Sequence, residues 1–137
     1  MFWIDKNNKD TLYCDIRHCE KGHIEHCPNW SCEPDMIADY RDLPFDDNSF
    51  SLIVWDIPHI INKTSGLISK KYGSLGDEWQ TDSKKAFDSI WRVLKPNGTL
   101  IFKYNDINIK VKDMLDLFPI KPLFGTVSKK AVNNTFW

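Results

Sequence analysis

The sequence predicts an α/β fold: a reduced, mostly parallel sheet flanked by helices, with a cysteine- and histidine-rich hairpin insertion near the N-terminus. Three observations carry this expectation. Short apolar runs at 11–14, 36–38, 51–55 and 98–104 read as strands. The runs at 51–55 and 98–104 are nearly continuous in apolar side chains, the pattern of strands covered on both faces. A strong helical period lies between those two, and strand–helix–strand order implies a right-handed crossover and parallel pairing.

At 137 residues the chain has the size of one compact domain, read as a single unit over 1–137. Its 42% hydrophobic and 27% charged residues are ordinary for a globular protein and exclude a disordered one. Lys and Arg total 18 against 19 Asp and Glu. That balance excludes binding to polyanions through bulk positive charge, though not a local basic patch. No apolar run approaches the ~20 residues that span a bilayer, so no membrane is expected. The start, Met1-Phe2-Trp3-Ile4-Asp5-Lys6, lacks the basic-then-apolar order of a secretory signal. The expected compartment is therefore the cytoplasm, where the four cysteines stay as thiols or metal ligands. The glycosylation-like triplets at 62–64, 97–99 and 133–135 are then coincidental.

Taken in order, Thr11-Leu12-Tyr13-Cys14 leads into Asp15, Met36-Ile37-Ala38 into Asp39, and Ser51-Leu52-Ile53-Val54-Trp55 into Asp56. In a parallel sheet these ends share one edge, where open α/β sheets bind ligands. One aspartate there is ordinarily a turn former. Three together favour a ligand site. Residues 14–34 hold all four cysteines and three of the four histidines. They read either as a polar hairpin turning at Glu20-Lys21-Gly22, or as a zinc site built from Cys19, Cys27 and Cys32 with His23 or His26. The C-x4-C-x7-C-x4-C spacing is wide for zinc, so no metal ligand is assigned. Cys14, inside a strand, reads as a small buried apolar residue.

Residues 62–80 carry Lys63, Lys70, Lys71, Tyr72 and Trp79 among three glycines. They read as a loop facing the site, placed to cover a substrate or hold a nucleic-acid strand, or simply as a solvated loop. A helix follows, capped by Thr81 or Asp82, with Ala86, Phe87, Ile90 and Leu94 on one face. Arg92 and Lys95 complement the dipole of its last turn, and Pro96-Asn97-Gly98 stops it. A second helix is expected over 110–118, with Val111, Met114, Leu115 and Phe118 inward. Residues 134–137 begin another strand. So small a sheet leaves an edge that invites a homodimer.

Two stretches carry a family resemblance. Residues 38–54, Ala-Asp-Tyr-Arg-Asp-Leu-Pro-Phe-Asp-Asp-Asn-Ser-Phe-Ser-Leu-Ile-Val, resemble the "GDAxxLPFxDxSFDxVV" segment of class I S-adenosylmethionine-dependent methyltransferases. Residues 86–101, including Arg92-Val93-Leu94-Lys95-Pro96-Asn97-Gly98, resemble their "RVLKPGG" helix–turn–strand. The pair spans roughly residues 36–104 in the family's order. Asp56-Ile57-Pro58-His59 and Lys121-Pro122-Leu123-Phe124-Gly125 also resemble the "DPPH" and "KPLFG" segments of short phage and prophage methyltransferase-like proteins.

The resemblance implies a Rossmann-like sheet that binds S-adenosylmethionine and transfers its methyl group to a nitrogen of a planar or small acceptor. A nucleobase, and hence a nucleic acid, is one such acceptor. By the same resemblance Asp39 accepts a hydrogen bond from the adenine amino group. Tyr40 and Arg41 pack on the adenine ring, and Leu43 belongs to the same cofactor-binding segment. Tyr13-Cys14-Asp15-Ile16 resembles the "GVDIS" element, whose acid grips both ribose hydroxyls, as a carboxylate with two acceptor oxygens can. Asp56-Ile57-Pro58-His59 resembles the "DPPY" motif of amino-group methyltransferases, which places Asp56, Pro58 and His59 at the transfer point, with Asp56 also beside the cofactor. Holding the amine in line with the methyl is most of that catalysis. A general base is secondary, because the amine can lose its proton after attack. The family's "DxGxGxG" loop has no counterpart: Gly22 is the first glycine in the chain. That departure keeps a second class open, a catalytically inactive methyltransferase-like binding or structural module, with or without zinc.

Overall fold

A computed structural model describes residues 5, 7–61, 66–125, 127–128 and 135–136. It is a mixed α/β chain whose small parallel sheets are flanked by helices, and it divides into two compact units, Met1–Tyr40 and Arg41–Trp137.

In the first unit, β1 (Cys14–Asp15) pairs in parallel with β2 (Met36–Ile37), with Cys14 opposite Met36 and Asp15 opposite Ile37. Tyr13 lengthens the contact. Its carbonyl accepts from the Asp35 and Met36 amides at 2.9 and 3.2 Å, and its own N–H donates to an Asp35 carboxylate oxygen at 2.8 Å. The intervening residues carry one antiparallel bridge, Cys19 opposite Cys32. The chain turns where the His23 amide reaches the Glu20 carbonyl at 3.2 Å, with Gly22 at φ 87°. Only glycine enters that region freely. Cys14 is exposed, contrary to its reading as a buried small residue, because so short a strand leaves its face open to solvent.

In the second unit, β3 (Phe50–Asp56) lies parallel to β4 (Leu94–Asn105), with α2 (Trp79–Val93) between them in sequence. The final strands β5 (Val127–Ser128) and β6 (Thr135–Phe136) extend the sheet antiparallel, in the order β3-β4-β6-β5. Asn134 and Trp137, the other parts of the expected last strand, lie outside the described residues. The helical period at 86–94 gives α2 a buried face of Ser83, Ala86, Phe87, Ile90 and Val93. That face meets the sheet through an aromatic cluster. Trp55 lies 4.9 Å from Phe102 and 5.6 Å from Phe118, and Phe87 stacks on Phe118 at 4.8 Å. The alternate face is not covered as the apolar runs suggested: Leu52 and Val54 remain 49% and 42% exposed.

Element ends differ from the sequence reading in four places. First, α2 starts at Trp79 behind Glu78, so Thr81 and Asp82 sit within its first turns and do not cap it. Second, it ends at Val93 because Leu94 is already extended, which moves Lys95 into β4. Pro96-Asn97-Gly98 therefore forms a bulge inside β4, where the register shifts between Phe50 and Leu52 and Asn97 takes φ 63°. Third, the 62–80 stretch is not all loop. It contains α1 (Leu67–Tyr72), closed by Gly73 at φ 78°, whose amide donates to Ser69 at 2.8 Å. Lys70 and Lys71 occupy the last turn of α1, whereas Lys63 lies outside the described residues. Fourth, the expected 110–118 helix shrinks to α3 (Val111–Leu115), because tighter bonds from Leu117 to Met114 and Phe118 to Leu115 close it ahead of Pro119. Met114 and Phe118 are buried as expected.

Among the described residues, no helix is long and apolar enough to cross a membrane.

Candidate functional site

In the first unit, parallel pairing puts Asp15 at the end of β1 and Asp39 two residues beyond β2. The Ala38 amide is tied to the Asp15 carbonyl at 3.1 Å. Asp15, Asp39 and Tyr40 are all half-buried. Asp15 is already engaged. Its Oδ1 accepts from the Arg17 backbone N–H and Nε, both at 2.9 Å, and its Oδ2 accepts from Arg17 Nη2 at 2.8 Å. Burial raises the Asp15 carboxyl, but the hydrogen bonds and charge of Arg17 outweigh it and hold the group below its ordinary range. The sequence reading did not include Arg17. The signal for it was present as a cation two residues after a strand-end carboxylate, within reach of a turn.

In the second unit, residues 41–49 run alongside α2. Arg41 pairs with Asp82 at 2.8 Å, and the Leu43 amide donates to Ser89 Oγ at 2.9 Å. Arg92 donates to the Leu43 and Phe45 carbonyls, both at 2.7 Å, and to Asp47 at 2.9 Å. The Asn48 and Ser49 amides close onto the last carbonyls of α2 at 3.0 and 2.8 Å. Arg41 and Leu43 thus fasten a connecting segment to a helix. Arg92, read as a dipole partner, satisfies that segment's backbone as well.

The Asp56 end of β3 has different chemistry. The parallel register sets Asp56 opposite Lys103, whose Nζ lies 2.7 Å from both carboxylate oxygens. The lysine side chain is 17% exposed and the aspartate 44%. Ile57 and Ile60 are buried at 2% and 6% and anchor the turn, which leaves Pro58 and His59 half-buried between them. Burial depresses the His59 imidazole below 6.5, Lys103 adds to that, and Asp56 opposes it. These influences together favour the neutral imidazole. Lys103 is the residue that motif reading passed over. Its signal was a cation inside an otherwise apolar strand, placed by the 56-to-103 register.

Asp56, His59 and Lys103 therefore act on one another electrostatically, and Asp15 and Asp39 share one strand pair. Arg41 and Leu43 are committed to α2. Two open surface depressions lie away from Asp56 and His59. One, of about 300 Å³, is lined by Arg41, Lys85, Asp88 and Ser89. The other, of about 520 Å³, lies beside Trp91 and the β4 bulge. Among the described residues, no group of three or more His, Cys, Asp and Glu side chains gathers as a metal site. A Cβ on Gly22 or Gly76 would meet nothing within 4 Å, and the tight contacts of Gly98 are with its own strand.

Comparison with known proteins found no matching family model, no matching curated protein and no matching solved structure.

Proposed function

We propose that the chain is a class I-type S-adenosylmethionine-dependent methyltransferase acting on a nitrogen of a planar or small acceptor, with a nucleobase as one such acceptor. The observation that carries this reading is the cluster at the end of β3: a strand-end carboxylate, its lysine counter-ion and a flat, half-buried imidazole biased toward its neutral form. They stand at the carboxyl edge of a parallel strand pair, where α/β sheets bind ligands. The resemblance of residues 38–54 and 86–101 to the family's two segments supports the same reading.

The cofactor would supply a methyl group on a sulfonium, and the residues supply positioning. Asp56 accepts a hydrogen bond from the acceptor's NH2 and turns its lone pair toward the methyl. A single ammonium does not exhaust a carboxylate, which has about four lone-pair sites, so Asp56 keeps acceptor capacity beside Lys103. His59, in its neutral form, offers a stacking face for a planar ring without repelling Lys103. After attack the nitrogen loses its proton to solvent. Asp39 is the carboxylate suited to an adenine amino group. The family's glycine-rich loop has no counterpart in this sequence, so no step is assigned to the amino-acid end of the cofactor.

Calorimetry with S-adenosylmethionine and S-adenosylhomocysteine tests the reading. Saturable heat is expected, weakened by Asp39→Asn. Absence of heat at millimolar ligand with folded protein overturns it. One observation favours a second reading, a catalytically inactive binding or structural module: both oxygens of Asp15 are taken by Arg17. That module would bind no cofactor and would elute with a partner, or as a homodimer, on gel filtration.

A further inference from the structure

We propose that Cys19 and Cys32 are a redox pair that forms a reversible disulfide and closes the 19–32 segment, a device that goes beyond methyl transfer and does not depend on it. The two residues stand directly opposite each other on an antiparallel bridge and exchange both backbone hydrogen bonds at 2.8 Å. Residues so paired put their side chains on the same face, with Cα atoms about 5.5 Å apart. A disulfide spans Cα separations of about 4.4–6.8 Å, and this pairing falls within that range. Both thiols are free and half-buried. The other two cysteines are held elsewhere: Cys14 lies in β1, and Cys27 lies in consecutive turns through Ile24 and Trp30, at 2.9 and 3.0 Å.

The reaction balances with a low-molecular-weight disulfide, such as oxidised glutathione, as oxidant. The Cys19 thiolate attacks one sulfur of that disulfide, its S–S bond breaks, and one glutathione thiolate leaves. The Cys32 thiolate then attacks Cys19 Sγ and expels the second glutathione. Two protein thiols lose two protons and two electrons, and the oxidant is reduced to two thiols. Burial, reinforced by Asp15, pushes the Cys32 thiol up to about 11, which suits it to the slower, resolving role. The Cys32 thiol also donates a hydrogen bond to the Arg17 carbonyl at 3.7 Å. Oxidation removes that S–H donor from the turn that holds the Asp15 carboxylate.

The test uses the full chain, equilibrated across glutathione redox ratios, quenched by alkylation and read by intact mass and peptide mapping. The expected result is that two of the four cysteines escape alkylation as the ratio becomes oxidising. The linked Cys19 and Cys32 peptides should be about 2 Da lighter than the dithiol pair, and reductant should restore both thiols. A Cys14→Ser, Cys27→Ser double variant should bridge unchanged. Cys19→Ser and Cys32→Ser should each stop at a mixed disulfide with glutathione. Full alkylation of all four cysteines at oxidising ratios overturns the proposal, as does a bridge that maps to Cys14 or Cys27. Because the readout is covalent, a failure here is separate from a failure to bind S-adenosylmethionine.

Discussion

Replacing Phe118 by alanine tests whether the aromatic cluster under β3 and β4 holds the second unit together. The ring is 4% exposed and meets three others: Phe87 at 4.8 Å, Trp55 at 5.6 Å and Phe102 at 5.6 Å. Burying a phenylalanine and then deleting it costs about 3–5 kcal/mol, counting the cavity left behind. Each ring pair adds about 0.5–1.5 kcal/mol beyond its area, which places Phe118→Ala in the upper half of that range. Total stability of a domain is about 5–15 kcal/mol, so the variant gives up about a quarter of it or more. With a urea slope of about 2 kcal/mol/M, the unfolding midpoint should fall by about 2 M. Urea titration followed by tryptophan fluorescence reads it directly, because Trp55 sits in the cluster. Phe118→Leu, which keeps apolar bulk, should lose about half as much. A midpoint shift below about 0.5 M for Phe118→Ala, at unchanged slope, would refute the packing argument.

Three further outcomes follow from the same structure. Lys103→Met should raise the His59 titration midpoint and Asp56→Asn should lower it, as read by proton NMR of the imidazole, because the two charges act on His59 with opposite sign. The folded-state value lies below 6.5, so as pH falls the unfolded chain takes up the proton first. This contribution to stability is complete above 6.5 and is lost as pH falls through the folded-state value, and Lys103→Met should flatten that dependence. Gly98→Ala would set a Cβ 2.8 Å from the Lys95 carbonyl oxygen and 2.8 Å from Leu94 Cδ1, and thermal or urea unfolding should show a loss of about 1–3 kcal/mol. Ser83 is 1% exposed and its hydroxyl has no hydrogen-bond partner among the described residues, so Ser83→Ala should be neutral or stabilising by about 1 kcal/mol, and a loss of that size would reveal a partner for it.

The legible part of this fold was the part written in periodicity. The 3.6-residue recurrence of Ala86, Phe87 and Ile90 located α2, and the apolar runs on either side located β3 and β4. Their parallel pairing followed from the helix between them. What periodicity cannot encode is how a turn sequence is used. Pro96-Asn97-Gly98 stops a helix in one setting. Here Leu94 is already in the strand, and the same three residues become a bulge that absorbs a register shift. Side-chain commitments were equally hidden. Asp82 looked like a cap until Arg41 claimed it, and Arg92 looked like a dipole partner until its guanidinium took two carbonyls of the 43–47 segment. The aspartates that end β1 and β3 were legible, but not that these strands belong to two separate sheets rather than one, nor the cations that face the carboxylates, because Lys103 reaches Asp56 only through the register of two strands.

Those cations divide the strand-end carboxylates by what each can still do. Arg17 meets Asp15 as a planar fork on both oxygens and adds its own backbone N–H, a geometry that satisfies the acceptor and holds it rigidly. Lys103 meets Asp56 as a point charge on one side, which balances the carboxylate's charge and leaves lone pairs open to solvent. A ligand at Asp15 must displace a guanidinium. A ligand at Asp56 can add its own N–H without breaking the ion pair. Of the two, Asp56 is therefore the carboxylate that keeps room for a further N–H donor, beside a ring whose pKa burial lowers, and a nucleoside reaching β1 would compete for Asp15 with Arg17, two positions along the chain.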